Sequence, residues 1–252
     1  MDVTELQGVT LRSEAEIMAG WEQGPENPLV SISCCAFNHE PYIETALKGF
    51  LIQETGFPFE ILVHDDASTD RTSDVIRAYH ERYPTIIKPI FQVENQYSQG
   101  NRPGKINHKR ALGDYIAICE GDDCWTDPSK LQRQVDALQE HPGVDICLHS
   151  ATKVDYSKGG AETLIGRYTY TPVDIIPVEQ IVLRPHGLIP TASVLIRREV
   201  ISAIQKFREG RNYLAVGDIY LFFFRRNERW GAVPRPQHVI IPCEITGLMD
   251  VK

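Results

Sequence analysis

Along this chain, short apolar runs of strand length alternate with stretches whose apolar residues recur every three or four positions. Leu29 to Ala36 is the first strong run, rich in Val, Ile, Ser and Cys, and Phe37-Asn38-His39-Glu40-Pro41 punctuates it. Tyr42 to Gln53 then carries Ile43, Ala46, Leu47 and Phe50 on one helical face. Phe59 to His64 predicts the next strand. It ends in the polar turn Asp65 to Asp70, ahead of a helical pattern from Arg71 to Glu81 that Ser68 or Thr69 could cap and Pro84 stops. Ile86 to Val93 reads as a third strand, and Asn95 to Lys105, rich in Gly, Asn and Gln, as a mobile loop. Asn107 to Leu112 predicts a helix ended by Gly113. Tyr115 to Cys119 is fully apolar, the signature of a strand inside a parallel sheet. The loop Glu120 to Pro128, a helix over Ser129 to Glu140 and a strand over Val144 to His149 complete the alternation.

The flanks are less regular. Residues 1–28 read as an N-terminal extension with a short helix within Thr10 to Met18, broken by Gly20, Gly24, Pro25 and Pro28. Lys153 to Arg184 mixes apolar runs with turns. Ala192 to Ile196 predicts a strand and Arg198 to Phe207 a helix. Tyr220 to Arg226 fits a helix or a strand, and Trp230 to Lys252 is extended, with Pro234, Pro236 and Pro242. The β-α-β-α order predicts an α/β fold with a mostly parallel central sheet flanked by helices. With no repeat, low-complexity tract or linker, 29–252 reads as a single domain.

The composition is that of an ordinary globular chain: 252 residues, 42% hydrophobic and 24% charged. The net charge of -8 argues against a nucleic-acid partner. Cys34, Cys35, Cys119, Cys124, Cys147 and Cys243 match no zinc spacing, and several lie in apolar runs, where cysteine acts as a small hydrophobe. That usage, with no signal peptide and no apolar run of spanning length, predicts a cytoplasmic protein, with peripheral attachment at the inner face of a membrane left open.

Open parallel sheets bind ligands beyond the carboxyl ends of their strands. Three polar or acidic loops fall at such ends: Asn38 to Glu40, Asp65 to Asp70 and Glu120 to Asp123. Asp70 and Asp127, near helix starts, read equally well as caps. Glu120, Asp122 and Asp123 are harder to explain that way, because three carboxylates directly after a buried strand repel one another unless a cation offsets them. Hard oxygen ligands suit Mg²⁺ or Mn²⁺ shared with substrate phosphates. Other signatures common on α/β sheets are missing. Gly100 and Gly104 lack the P-loop spacing, no strand is followed by a dinucleotide fingerprint, and no Gly-x-Ser-x-Gly elbow occurs.

Several segments together resemble the inverting glycosyltransferase family 2, of the GT-A fold. They are Val30-Ser31-Ile32-Ser33 with Phe37-Asn38, and Asp65-Asp66-Ala67-Ser68-Thr69-Asp70, where Ala67 stands in place of the family's usual Gly. They continue with Glu120-Gly121-Asp122-Asp123-Cys124-Trp125 followed by Pro128, Lys130-Leu131 and Gln134-Val135, in which Glu120 replaces the family's first Asp. Pro190-Thr191-Ala192-Ser193, Arg197-Arg198 and Gly217-Asp218 resemble the acceptor-side half.

The resemblance implies a nucleotide-binding half over 29–125 and an acceptor-side half over 126–252. It places Phe37, Asn38 and Glu40 in the nucleotide pocket, with Asp65 or Asp66 on the nucleoside and Asp65 the favoured base contact. Asp122 would ligate Mn²⁺ or Mg²⁺ on the diphosphate, Glu120 would reach the ribose or a water on the metal, and Asp123 would orient the donor sugar. Asp218 would be the general base, although an Asp in that setting is also a common helix cap. His238 would stand in for the histidine of the family's Tyr-Arg-x-His-like segment, from which Val233 to Val239 departs. The implied donor is a UDP-sugar, and the implied acceptor a carbohydrate or lipid-linked molecule in cell-envelope polysaccharide or O-antigen-like assembly. Two rival functions are a sugar nucleotidyltransferase, disfavoured by the lack of a Gly-rich first loop, and a non-catalytic sugar-nucleotide-binding protein. Trp125, His64 and His149 read as packing residues, and Lys109 and Arg110 as diphosphate neighbours or surface charges.

Overall fold

A computed structural model describes residues 1–155, 160–166, 189–208 and 238–250. The strands are β1 (Val30–Ala36), β2 (Phe59–Asp65), β3 (Ile87–Phe91), β4 (Tyr115–Ile118), β5 (Asp123–Cys124), β6 (Val144–Asp155), β7 (Ala161–Ile165), β8 (Leu195–Arg197) and β9 (His238–Asp250). The helices are α1 (Val3–Gln7), α2 (Glu14–Met18), α3 (Ile43–Leu51), α4 (Thr72–Arg82), α5 (Pro103–Arg110), α6 (Lys130–Glu140) and α7 (Arg198–Arg208).

Among the described residues the strands form one sheet in the order β3-β2-β1-β4-β8-β6-β9-β5, with β7 paired to β6. β1 pairs in parallel with β2 and β4, and β2 with β3. The expectation of a mostly parallel sheet holds for that half only. β8 enters antiparallel between β4 and β6, β9 runs parallel to β6, and β5 runs antiparallel to β9, so the whole is a mixed sheet flanked by helices. Periodicity reports which face of a strand is buried and says nothing of its direction. The partner of a strand that does not follow a crossover helix is therefore invisible to it.

The larger apolar cluster joins β1, β2 and β4 to α3, α4 and α6 on one face, through residues such as Ile32, Leu47, Phe50, Ile76 and Leu131. On the other face Leu62, Ile116, Ile146, Ile196 and Ile201 form the second cluster, beneath α5 and α7. Helix α5 begins at Pro103, inside the stretch whose composition suggests a loop. Proline is at home at a helix start, where its missing N–H has no partner to lose. The fully buried Asn107 then fastens the helix, its Nδ2 donating to the carbonyls of Cys34 (3.0 Å) and Leu62 (2.8 Å).

The N-terminal extension lies against this body. Capping boxes start α1 at Asp2 and α2 at Ser13. Leu6 is buried with Ile52 and Cys124, Ile17 joins the main core, and the Glu14 carboxylate accepts from the backbone N–H groups of Thr85 and Ile86.

Candidate active site at the carboxyl edge of the sheet

Register alone gathers the acidic loops. Ala36 stands opposite Asp65, and Asp65 opposite Phe91, so β1, β2 and β3 end on one line. Ser33 pairs with Ile118, and the Gly121 N–H donates to the Cys35 carbonyl at 2.9 Å, which lays the Glu120–Asp123 loop across the end of β1. A Cβ on Gly121 would come within 2.8 Å of the His39 ring and 3.1 Å of Ala36 and Ile43, so only glycine lets the loop settle there. Asp123 is buried, whereas Asp122 faces outward, 3.7 Å from His39 Nε2. The loop's charge reaches back into the strand beneath. Burial, and then the charges of Glu120, Asp122 and Asp123, push the Cys34 thiol well up.

The loops after β1 and β2 are fastened to each other. The Asn38 N–H donates to Ser68 Oγ (2.9 Å), and the Thr69 N–H returns a bond to Asn38 Oδ1 (2.8 Å). His39 N–H reaches Thr72 Oγ1 (2.8 Å), Glu40 N–H reaches Asp70 Oδ2 (3.1 Å), and Arg71 N–H reaches Glu40 Oε2 (3.1 Å). Asn38 and Ala67 adopt positive φ, at 55° and 64°. Asparagine tolerates that conformation; alanine is held in it by the surrounding bonds. Asn38, Glu40 and Asp70 thus form a clasp between the two loops, and Phe37, just before it, is 43% exposed.

The two acids after β2 have different surroundings. Asp65 is buried and accepts from the Ser68 hydroxyl. Burial raises its carboxyl above the usual range, and that hydrogen bond opposes the rise. Asp66 is only 2% exposed. Its Oδ1 accepts from the Gln96 N–H at 2.7 Å and its Oδ2 from the Tyr97 N–H at 3.0 Å. Sequence pattern does not connect Asp66 with these loop residues, because a carboxylate–backbone contact thirty residues away leaves no periodic trace.

Behind the acidic loop, Trp125 is buried edge-on to Phe50 (4.9 Å) with Nε1–H donating to the Ala192 carbonyl (2.8 Å), as expected of a packing residue. The fully buried Lys130 ammonium sits 3.8 Å from the Trp125 ring centre and donates to Gln134 Oε1 at 2.6 Å. His64 and His149 are likewise fully buried. Arg110 is turned inward, donating to the Val63 carbonyl at 3.1 Å.

Phe37, Asn38, Glu40, Asp65, Asp66, Glu120, Asp122 and Asp123 therefore lie along one edge of the sheet. His238 does not join them. It opens β9 beside Val144, while Met249 of the same strand pairs with Asp123. At about 3.3 Å per residue, the backbone of His238 stands on the order of 30 Å along β9 from the Met249 position that pairs with Asp123. Asp218 lies outside the described residues. Among the described residues no three His, Cys, Asp or Glu side chains converge as a metal cage, and no helix is long and apolar enough to cross a membrane.

The model of glycosyl transferase family 2 matches residues 31–204. An uncharacterised protein of Mycobacterium tuberculosis is 42% identical over 134 residues, 53% of this chain and 38% of that protein. An uncharacterised glycosyltransferase of a Nostoc species is 30% identical over 178 residues, 69% of this chain and 52% of its own length. Among solved structures, S. aureus TarS 1–349 superposes with a TM-score of 0.62 at 18% identity, covering 88% of this chain and 60% of that one. The mannosyltransferase PcManGT of Pyrobaculum calidifontis, in complex with GDP-Man and Mn²⁺, gives 0.53 at 16% identity, covering 99% and 63%. This chain spans less than two thirds of each of these proteins.

Proposed function

Because the chain belongs to glycosyl transferase family 2, we propose that it moves a sugar from a nucleoside-diphosphate donor to a carbohydrate or lipid-linked acceptor by one inverting displacement. The observation that carries this reading is the meeting of the latched loops after β1 and β2 with the Glu120–Asp123 loop on one strand-end edge. TarS has been solved with UDP and with UDP-GlcNAc, and PcManGT with GDP-Man and Mn²⁺, which makes a nucleoside diphosphate and a divalent ion natural ligands to test.

Asp65 would read the base, with Phe37 against it and Asn38 and Glu40 holding the pocket wall. Asp122 and Glu120 supply hard oxygen ligands for Mg²⁺ or Mn²⁺. Two carboxylates are too few for a protein-only shell and would suit an ion shared with the donor's phosphates. Such an ion would supply charge stabilisation on the departing diphosphate. Asp123, held inside the loop, would orient the donor sugar. Asp218 would take the proton from the acceptor hydroxyl as its oxygen attacks the anomeric carbon.

Calorimetric titration of UDP, GDP and dTDP, with and without Mn²⁺, tests the donor site. Metal-dependent binding of at least one is expected, and metal-independent or absent binding of all three would sink the reading. Asp218→Asn is expected to bind donor normally and to lose transfer; undiminished transfer would remove Asp218 as the base.

A further inference from the structure

Asp66 cannot both hold what it holds and read a ligand. Its two oxygens face the backbone N–H groups of Gln96 and Tyr97, and His64 Nε2 stands 3.4 Å from Oδ1 in the buried interior. The rest of the residue is engaged too. Its N–H donates to the Ala36 carbonyl (2.9 Å), and its own carbonyl accepts from Asn95 Nδ2 (3.0 Å). A carboxylate with both oxygens taken up by backbone N–H groups has little left to offer a nucleobase.

What it does offer is placement. The bonds to Gln96 and Tyr97 occupy the otherwise orphaned donors at the start of the 3₁₀ turn Tyr97–Gln99. The loop is then closed on itself. Ser98 N–H reaches Asn95 Oδ1 (2.7 Å), Asn101 N–H reaches the Gln96 carbonyl (2.9 Å), and Gly100 turns the chain at φ 80°. Two successive hydrogen bonds, Tyr97 to Asp66 and Asp66 to Ala36, tie this turn to the residue just before Phe37. The outcome is a fixed backbone carrying a Tyr97 side chain that is 74% exposed, on the same edge as the 43% exposed Phe37. Large rings left in water on a hydrogen-bonded frame beside the strand ends are well suited to stacking a flat ligand, and every nucleobase has a π face.

We propose that Tyr97 is a platform for the donor nucleobase, and that Asp66 is the positioning residue that holds it there. This rests on the donor-site reading above and goes beyond it, since it assigns base affinity to the loop after β3 and takes Asp66 out of ligand contact.

The experiment compares native protein, Tyr97→Ala, Tyr97→Phe, Asp66→Ala and the Ala/Ala double variant. Each is titrated with UDP, GDP and inorganic pyrophosphate in Mn²⁺. Tyr97→Ala should weaken both nucleotides about tenfold and leave pyrophosphate within twofold, and Tyr97→Phe should bind like the native protein. Asp66→Ala should show the same selective loss, and the double variant should lose no more than either single change. Because Tyr97 is exposed, its variants test the proposal even where Asp66→Ala fails to fold. Nucleotide binding within twofold of native for Tyr97→Ala, an equal loss on pyrophosphate, or additive losses in the double variant would overturn it. A native protein that binds none of the probes removes the donor site itself, and the platform with it.

Discussion

Gly49 sits in the middle of α3, where an alanine would ordinarily stabilise the helix by about 1 kcal/mol. Here the sign should reverse. A Cβ at this position lies 2.7 Å from the Trp125 carbonyl oxygen and 2.8 Å from its nitrogen, and both are backbone atoms that cannot rotate aside. Ordinary contact needs roughly 3.5 Å, so α3 and the segment after β5 must separate by several tenths of an ångström. Overpacking of this kind costs about 1–3 kcal/mol. Set against the helix gain, Gly49→Ala should be destabilised by up to about 2 kcal/mol. The displacement falls beside the acidic loop, so nucleotide binding at the proposed donor site should weaken as well. Gly143→Ala is the control, because its Cβ meets nothing within 4 Å and it should gain about 0.4–1 kcal/mol from a stiffer unfolded chain. Urea midpoints of the three proteins, read at equal m-value, decide the matter. A Gly49→Ala protein more stable than the native one, as Gly143→Ala should be, would refute the close α3–Trp125 approach.

Ala67→Gly should raise the melting temperature by about 2 °C. It releases a side chain held at φ 64°, worth about 1–2 kcal/mol, against the entropy glycine adds to the unfolded chain; an unchanged or lower midpoint in a thermal scan contradicts this. Acid should cost stability early. Burial drives the His108 imidazole down to about 4, and burial followed by the Lys130 charge drives that of His149 down to about 3, from an ordinary 6.5. Keeping these rings neutral costs nothing above pH 6.5. As pH falls from there toward 4 and then 3 the unfolded chain binds protons the native one refuses, at up to about 1.4 kcal/mol per pH unit for each histidine. His149→Gln should flatten that limb by about one proton in urea midpoints taken from pH 7 to 4, and an unchanged slope would refute the assignment.

The parallel half of the fold is legible because its strands are buried on both faces and its helices on one. The boundaries expected for β1, β2, β4, α3, α4 and α6 fall within two residues of those found. The differences elsewhere have physical causes. α1 escapes the hydrophobic pattern although Asp2 and Glu5 carry a capping-box spacing, since five residues with a single buried leucine show no period. β6 runs on to Asp155 because it pairs with β7, whose side chains are largely exposed and give no apolar alternation. At the site, residue types announce the Glu120–Asp123 loop. They cannot announce that Asp66 faces inward or that β9 carries His238 away, because both follow from pairing across distant segments.

The reciprocal bonds between Asn38–Glu40 and Ser68–Arg71 also bear on inheritance and engineering. Side chains of each loop satisfy backbone N–H groups of the other, so a change in one is felt in both. Relatives that vary at Asn38 or Glu40 should vary in concert at Ser68, Thr69 or Asp70. A chimera that imports one loop alone would bring half a clasp, so an exchange between relatives calls for transplanting the pair.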